Sequence, residues 1–177
     1  MTILVIGGAS GMVAGALARM DGVVARGRPH VDLARPDTLQ RALDAHAPHA
    51  VICAGAYTQV DAAESDEATA MRLNAEGPGA LARFCAERAT PLVFVSTDYV
   101  FDGAKSGSYV ESDPVAPINA YGRSKRAGEE AVRAAGGRHV IVRTSWIHAP
   151  WGRNFVRTML THAASGRHLR VVDDQIG

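Results

Sequence analysis

The sequence predicts an α/β fold in which a doubly wound parallel sheet carries flanking helices. Short apolar runs rich in β-branched residues recur along the 177 residues, and stretches of helical character separate them. The first run stops at a pair of glycines, which is typical of a tight turn from a strand into a helix. Because strands that alternate with helices pair in parallel through right-handed crossovers, this order indicates one parallel sheet.

Each element follows from a local signal. Residues 3–6 form a β-branched run, and the alanine-rich residues 12–20 are good helix formers. Pro36 and Asp37 open a helix over 36–46, and residues 50–54 are apolar throughout, as in a strand buried on both faces. Further strands are predicted at 23–25, 92–96, 140–143 and 169–172, and further helices at 120–135 and 155–165. Residues 61–88 contain helical stretches whose length Pro78 and nearby glycines should limit.

Composition excludes several classes of protein. Hydrophobic residues make up 47% and charged residues 21%, which is typical of a soluble globular domain. The net charge of +1 gives no reason to expect binding to nucleic acid or to an anionic membrane. No apolar run approaches the roughly 20 residues that span a bilayer, and no secretory signal is visible. Cys53 and Cys85 lack a paired spacing, so we expect a soluble protein in a reducing cytoplasm.

A glycine-rich turn follows the first strand and opens the first helix. In the segment 8–14, Gly8 permits a tight turn and Gly11 lets the backbone approach a pyrophosphate. The third position, Ala14, is small enough for the helix to pack closely on the strand. A tight turn of any kind could use these glycines, but their place at the start of a βαβ unit favours a Rossmann-like dinucleotide site.

The residues after the second strand bear on the choice of cofactor. NAD-dependent enzymes often place a carboxylate there, whereas this chain has Arg26 and Arg28 and no acidic residue before Asp32. Two guanidinium groups can bind the 2′-phosphate of NADPH, although both arginines could also be simply solvated. The sequence therefore favours NADPH over NADH.

Tyr121 and Lys125 form the strongest candidate for chemistry. They lie four residues apart on one face of a predicted helix. A tyrosine titrates near pH 10, and a fixed lysine charge can stabilise its phenolate for proton transfer. Ser96 and Thr97 end the fourth strand, at the sheet edge where ligands bind in this fold.

Other candidate sites have simpler explanations. His46 and His49 lack a third ligand nearby, so we predict no metal site. Asp173 and Asp174 are expected to be solvated or to cap the last strand. Cys53 is expected to be a small buried residue rather than a nucleophile.

Seven passages together carry a resemblance to a known family. They are CAGAYTQVDAAE (53–64), NAEGPGALAR (74–83), STDYVFDG (96–103), NAYGRSKRAGEE (119–130), RTSWI (143–147), NFVRTML (154–160) and RVVDDQIG (170–177). With them the chain resembles the extended short-chain dehydrogenase/reductases over essentially its whole length. The resemblance implies NADPH-dependent reduction of the C4 keto group of dTDP-4-dehydro-L-rhamnose to dTDP-L-rhamnose, a precursor of cell-surface polysaccharide. Residues 1–177 would be the dinucleotide-binding domain of a longer reductase whose C-terminal substrate portion is absent.

The resemblance also implies roles for individual residues. Tyr121 would deliver a proton to the C4 oxygen, Lys125 would hold the nicotinamide ribose, and Thr97 would orient the reacting carbonyl. Asp98 and Trp146 would contact the dTDP-sugar. The expected cofactor contacts are Gly11, Met12 and Val13 at the pyrophosphate, Asp32 and Leu33 at the adenine, and Gly55, Ala56 and Tyr57 after the third strand.

The sequence departs from the family pattern at some positions, and it leaves functions other than this reduction open. Some relatives use a glutamate of the first helix in a magnesium-linked dimer, but Ala16 stands there, so magnesium is not expected and a homodimer needs another contact. Dehydratases of the family carry an Asp-Glu pair after the threonine, whereas this chain has Asp98 and Tyr99. The alternatives are another sugar-nucleotide epimerase or reductase, or a non-catalytic regulatory subunit like the partner of methionine adenosyltransferase. The intact Thr97, Tyr121 and Lys125 favour catalysis.

Overall fold

The computed structural model describes residues 1–166 and 168–171. Within them five parallel strands form one sheet in the order β2-β1-β3-β4-β5. The strands are β1 (Ile3–Ile6), β2 (Val23–Arg26), β3 (Ala50–Cys53), β4 (Leu92–Thr97) and β5 (His139–Thr144). The doubly wound parallel sheet predicted from the sequence is confirmed.

Seven α-helices connect or follow these strands in the described residues. They are α1 (Met12–Leu17), α2 (Pro36–His46), α3 (Val60–Ala63), α4 (Glu67–Met71), α5 (Gly77–Glu87), α6 (Ala120–Ala134) and α7 (Phe155–Ala164). A π-helical segment (Arg72–Glu76) joins α4 to α5, and a short 3₁₀ turn (Asp98–Val100) follows β4. Helix α5 packs against both α2 and α6, whereas α1 packs on β1 and β2.

The structure differs from the predicted elements at three places. α1 ends at Leu17 rather than at residue 20, because the chain turns there to enter β2. Residues 168–171 are not paired into the sheet, so the strand expected at 169–172 is not found in its described part. Apolar residues alone do not form a strand without a hydrogen-bonding partner. Residue 172, Asp173 and Asp174, and most of the passage 170–177, lie outside the described residues.

The third difference concerns Pro78, which does not interrupt the helical run from Glu67 to Glu87. A proline has no N–H for the carbonyl four residues earlier, here that of Asn74. The wide π turn accommodates this loss immediately before Pro78. Gly128 of α6 packs directly on the Asn74 carbonyl, since a Cβ at Gly128 would lie only 2.1 Å from that oxygen. α6 therefore lies against the irregular turn.

The core lies between the central strands and the layer formed by α2 and α5. β1, β3 and β4 bury apolar side chains together with leucines of α2 and α5: Leu4, Ile6, Val51, Leu92, Phe94, Leu39, Leu43 and Leu81. Each such buried side chain contributes about 1.5–3 kcal/mol. The chain leaves β1 toward β2 on one side and later returns to β3 on the other. This change of direction opens a crevice at the carboxyl ends of the strands, where ligands bind in doubly wound sheets.

No helix in the described part of the chain is long and apolar enough to cross a membrane.

Candidate active site

A groove opens at the carboxyl ends of β1, β2 and β3. It encloses about 550 Å³, including space open to solvent. Six of the residues predicted to bind the cofactor line it: Gly8, Arg28, Asp32, Leu33, Gly55 and Ala56. The structure thus brings together residues from three separate loops that the sequence assigned to one cofactor.

The floor of the groove depends on close contact between two strand ends. A Cβ at Gly27, just after β2, would lie 2.5 Å from the backbone nitrogen of Gly8. A residue with a side chain would therefore force the glycine-rich turn away from β2. The turn itself closes through a 2.8 Å hydrogen bond from the Gly11 amide to the Gly8 carbonyl, and Met12 and Val13 then begin α1.

The two arginines after β2 occupy different positions. Both are exposed, but Arg28 lines the groove, whereas Arg26 donates from Nη1 to the carbonyl of Ala25 at 3.1 Å. Asp32 is held by its own loop, because its Oδ1 accepts the Ala34 amide at 2.9 Å and its backbone N–H donates to Thr38 Oγ1 at 2.9 Å.

Asn74 of the π segment links the groove to α6. This role was not predicted from the sequence. Its fully buried amide accepts the Tyr57 N–H at 2.8 Å and donates to the Tyr57 carbonyl at 3.0 Å. It also donates to Ser124 Oγ at 2.9 Å, and Ser124 donates to the Tyr121 carbonyl at 2.7 Å. The loop that carries Gly55 and Tyr57 is therefore held in place against the helix that carries Tyr121. The only sequence signal was membership of the passage 74–83.

Two side chains satisfy the first amides of α6, the helix that carries Tyr121 and Lys125. Asn119 Oδ1 accepts the Gly122 amide at 2.7 Å. Glu64 Oε1 accepts the Ala120 amide at 2.7 Å. Both oxygens bind donors that have no partner within the helix, and the Glu64 charge also favours the positive end of the helix dipole.

Thr97, Asp98 and Tyr99 lie beside Tyr121 at the carboxyl end of β4. Thr97 Oγ1 donates to Asp98 Oδ1 at 3.1 Å and accepts the Tyr99 amide at 3.2 Å. The Tyr99 ring meets the Tyr121 ring edge-on, with 5.7 Å between centroids. Burial raises the pKa of Tyr121 above its ordinary value, and the Thr97 hydroxyl partly offsets this effect. The phenol is thus protonated at neutral pH and next to a hydroxyl that can orient a carbonyl.

Lys125 is almost fully buried one turn further along α6. Its Nζ donates to the Val95 carbonyl at 2.7 Å and lies 4.2 Å from the centroid of the Phe94 ring. Burial lowers the pKa of Lys125 to about 8, while Cys53 and Glu129 act in the opposite direction. Burial also raises the pKa of the Cys53 thiol to about 11, so this thiol is protonated at neutral pH.

The two tryptophans lie after β5 on the loop that leads to α7. Trp146 is half exposed and meets Phe155 edge-on at 5.8 Å. Trp151 packs on α1, where the Arg19 guanidinium lies 4.0 Å from its ring centroid.

His49 Nδ1 accepts the Thr2 amide at 3.2 Å. Across residues 1–166 and 168–171, no group of three His, Cys, Asp or Glu side chains could hold a metal ion.

A family model described as the RmlD substrate binding domain matches residues 1–177. The chain belongs to this family. Among RmlD relatives, dTDP-4-dehydrorhamnose reductase of Burkholderia thailandensis is 47% identical over an alignment of 181 residues. The alignment covers 100% of this chain and 60% of the relative. The enzyme of the same name from Sinorhizobium fredii is 44% identical and covers 98% of this chain and 60% of its own length.

The RmlD fold is also found among solved structures. The crystal structure of dTDP-4-dehydrorhamnose reductase from Bacillus anthracis in complex with NADP superposes with a TM-score of 0.88 at 34% identity. It covers 93% of this chain and 61% of the solved chain. This RmlD chain therefore spans about 60% of the length of the curated relatives it matches. The family resemblance indicated by the seven sequence passages is confirmed.

Proposed function

We propose that this RmlD chain binds NADPH and supplies the proton-transfer residues of a reductase that converts dTDP-4-dehydro-L-rhamnose into dTDP-L-rhamnose. The Asn74 contacts carry the proposal, because they join the wall of the dinucleotide groove to the helix of Tyr121. The names of the relatives give the substrate class, and the NADP complex of the Bacillus anthracis enzyme supports the cofactor.

The groove would hold the dinucleotide. The amides of Gly11, Met12 and Val13 would face the pyrophosphate, and Arg28, which lines the groove, would bind the 2′-phosphate. Asp32 and Leu33 would border the adenine. When bound, NADPH supplies the hydride; NADH is the weaker second cofactor, since its ribose carries no phosphate for Arg28 to hold.

Tyr121 acts as a general acid in the proposed direction. A reduction at C4 needs a proton for the forming alkoxide, and a phenol with a raised pKa holds that proton until it is needed. The Thr97 hydroxyl donates to Asp98 in this structure, and with substrate bound it would donate to the substrate carbonyl instead. The Lys125 ammonium would hold the nicotinamide ribose and stabilise the phenolate after transfer. Asp98 and Trp146 would contact the dTDP-sugar.

The dehydratase and the regulatory subunit lack comparable support. A dehydratase needs an acid–base residue at the position of Tyr99, whose phenol instead meets the ring of Tyr121. A regulatory subunit would not need the Thr97–Tyr121 arrangement that the structure retains. We place the protein in the cytoplasm, where its two free, buried cysteines stay reduced. Its partners would be the dTDP-sugar and, in a homodimer, a second copy.

The test follows NADPH fluorescence as the protein and then dTDP-4-dehydro-L-rhamnose are added. Binding followed by substrate-dependent loss of fluorescence supports the reductase, and NADH should bind more weakly. Binding without decay favours the regulatory alternative, provided that the complete reductase behaves in the same way. Failure to bind either nucleotide contradicts the proposal.

A further inference from the structure

A buried carboxylate one turn beyond Lys125 takes part in none of the contacts described above. Glu129 is fully buried and accepts four hydrogen bonds. They come from Ser96 Oγ at 2.7 Å, Arg143 Nε at 2.9 Å, Arg143 Nη2 at 2.7 Å and Arg133 Nη2 at 3.0 Å. A buried carboxylate is strongly unfavourable unless it is paired and hydrogen-bonded, and here the bonds come from β4, β5 and α6 itself.

Glu129 of α6 connects the two elements that carry Thr97, Tyr121 and Lys125, namely β4 and α6. Ser96 directly precedes Thr97, so the 2.7 Å bond from Ser96 fixes the end of β4. Lys125 lies four residues before Glu129, on the same face of α6. One carboxylate therefore contacts the strand that presents Thr97 and acts electrostatically on the lysine that follows Tyr121.

The same ion pair extends toward the loop that follows β4. Arg143 of β5 donates to Glu129 from two nitrogens, and its guanidinium lies 4.9 Å from the centroid of the Phe101 ring. Phe101 stacks on Tyr109 at 4.1 Å. The Glu129–Arg143 pair thus lies against the loop that follows β4.

We propose that Glu129 is the positioning residue of this site: its buried negative charge keeps the Lys125 ammonium charged, and its bond to Ser96 fixes the strand end that carries Thr97. The roles of Lys125 and Thr97 rest on the proposed function, whereas the effect of Glu129 on Lys125 does not.

The electrostatics of the two groups support this assignment. Burial alone would raise the pKa of Glu129, but the hydrogen bonds from Arg143 and Ser96 outweigh it and hold the pKa below its usual range. Burial lowers the pKa of Lys125 to about 8 even with Glu129 present. Besides Glu129 on its own helix, Cys53 of β3 is the titratable group that acts on Lys125, and its thiol is protonated at neutral pH. Of the two groups that favour the charged form of Lys125, Glu129 is thus the one that is an anion at neutral pH.

The chain offers a direct measurement, because Lys105 and Lys125 are its only lysines. Labelling lysine with ¹³C at Cε gives two NMR signals, and Lys105→Arg assigns them. In the wild type Lys125 should titrate near pH 8. Glu129→Gln keeps the shape and removes the charge, so the midpoint should fall. A fall of about one pH unit would reduce the ammonium fraction at pH 8 by roughly fivefold.

Glu130→Gln is the matched control. Glu130 is the next residue, its side chain is exposed, and it pairs with Arg126 at 2.9 Å. The control should leave the Lys125 midpoint unchanged, and Glu129→Asp, which keeps the charge, should restore most of the wild-type value. A folded Glu129→Gln protein with the wild-type midpoint would overturn the proposal and leave Glu129 a purely structural ion-pair partner.

A second variant covers the case in which Glu129→Gln does not fold, since it leaves the Arg143 guanidinium buried without its partner. The double variant Glu129→Gln, Arg143→Met removes an anion and the cation that opposes it, so the Lys125 midpoint should still fall, but by less than in Glu129→Gln. The titrations need no nucleotide, so they decide the role of Glu129 even if the wild type fails to bind NADPH. If the wild type binds NADPH, its affinity should fall as the pH rises and Lys125 loses its proton. In Glu129→Gln this fall should begin at a lower pH than in the wild type.

Discussion

Asn74 and Ser124 are joined by a 2.9 Å hydrogen bond between side chains that lie 50 residues apart. The bond connects the π segment to α6, and the Asn74 amide continues to both backbone groups of Tyr57. The two halves of the site, the groove and the helix that carries Tyr121, are therefore linked through one buried amide.

Replacing Asn74 with alanine should disturb both halves. The change leaves the partly buried Tyr57 backbone groups without their Asn74 partner, so we expect a loss of about 2 kcal/mol in the free energy of unfolding, measured in urea. NADPH affinity should fall with it. Ser65→Ala removes an exposed hydroxyl that bonds the Ala62 carbonyl at 3.0 Å, and it serves as the control with little effect. A loss equal to that of the control would contradict the linking role.

Tyr121→Phe should separate chemistry from binding. The variant removes the phenolic proton and little else, so turnover in the complete enzyme should fall by about 100-fold or more. NADPH affinity, followed by fluorescence, should stay close to that of the wild type. Tyr109→Phe removes a phenol that bonds Asp102 at 2.8 Å on an exposed loop and should retain most turnover. Unchanged turnover in Tyr121→Phe would rule out the proton-donor assignment.

The two arginines after β2 should differ in their effect on cofactor choice. Changing both Arg26 and Arg28 to alanine should weaken NADPH binding and leave NADH binding nearly unaltered. Because Arg28 lines the groove and Arg26 does not, the single change at Arg28 should account for most of a loss of about tenfold or more. Arg41→Ala, on an exposed pair with Asp37, is the control. Equal losses for the two nucleotides would mean that the 2′-phosphate is bound elsewhere.

Elements with strong local signals could be predicted from the sequence. Helix α2 has the predicted bounds because Pro36 starts it and Ala47 ends it in the left-handed conformation. Tyr121 and Lys125 could both be placed on one helix because a spacing of four residues is typical of one helical face.

Contacts between distant parts of the chain could not be predicted in this way. Ser96 and Glu129 are 33 residues apart, and Arg19 meets Trp151 only after the loop beyond β5 has packed on α1. Such pairs depend on tertiary packing. Asn74 gave no signal of its own chemistry because an asparagine becomes informative only when its buried partners are known.

Lys125→Met should raise stability while it removes function. The folded pKa of about 8 lies below the 10.5 of an ordinary lysine, so the folded protein binds fewer protons than the unfolded chain between these values. Stability of the wild type should therefore increase as the pH rises through this window, and the full penalty, about 3 kcal/mol, applies below pH 8. Methionine removes the buried charge but also loses the bond to Val95, so we expect a net gain of about 1–2 kcal/mol at pH 7.

Urea unfolding at several pH values between 7 and 10 measures this difference directly. The gap between Lys125→Met and the wild type should shrink steadily above pH 8, as the wild-type lysine loses its proton. Groups common to both proteins cancel in the comparison, apart from Cys53, which acts on Lys125 itself. Lys105→Met breaks an exposed pair with Asp113 at 2.6 Å and should change stability by about 1 kcal/mol or less at every pH. A gap that does not vary with pH would show that Lys125 keeps its ordinary titration in the folded protein, and that burial imposes no penalty on its charge.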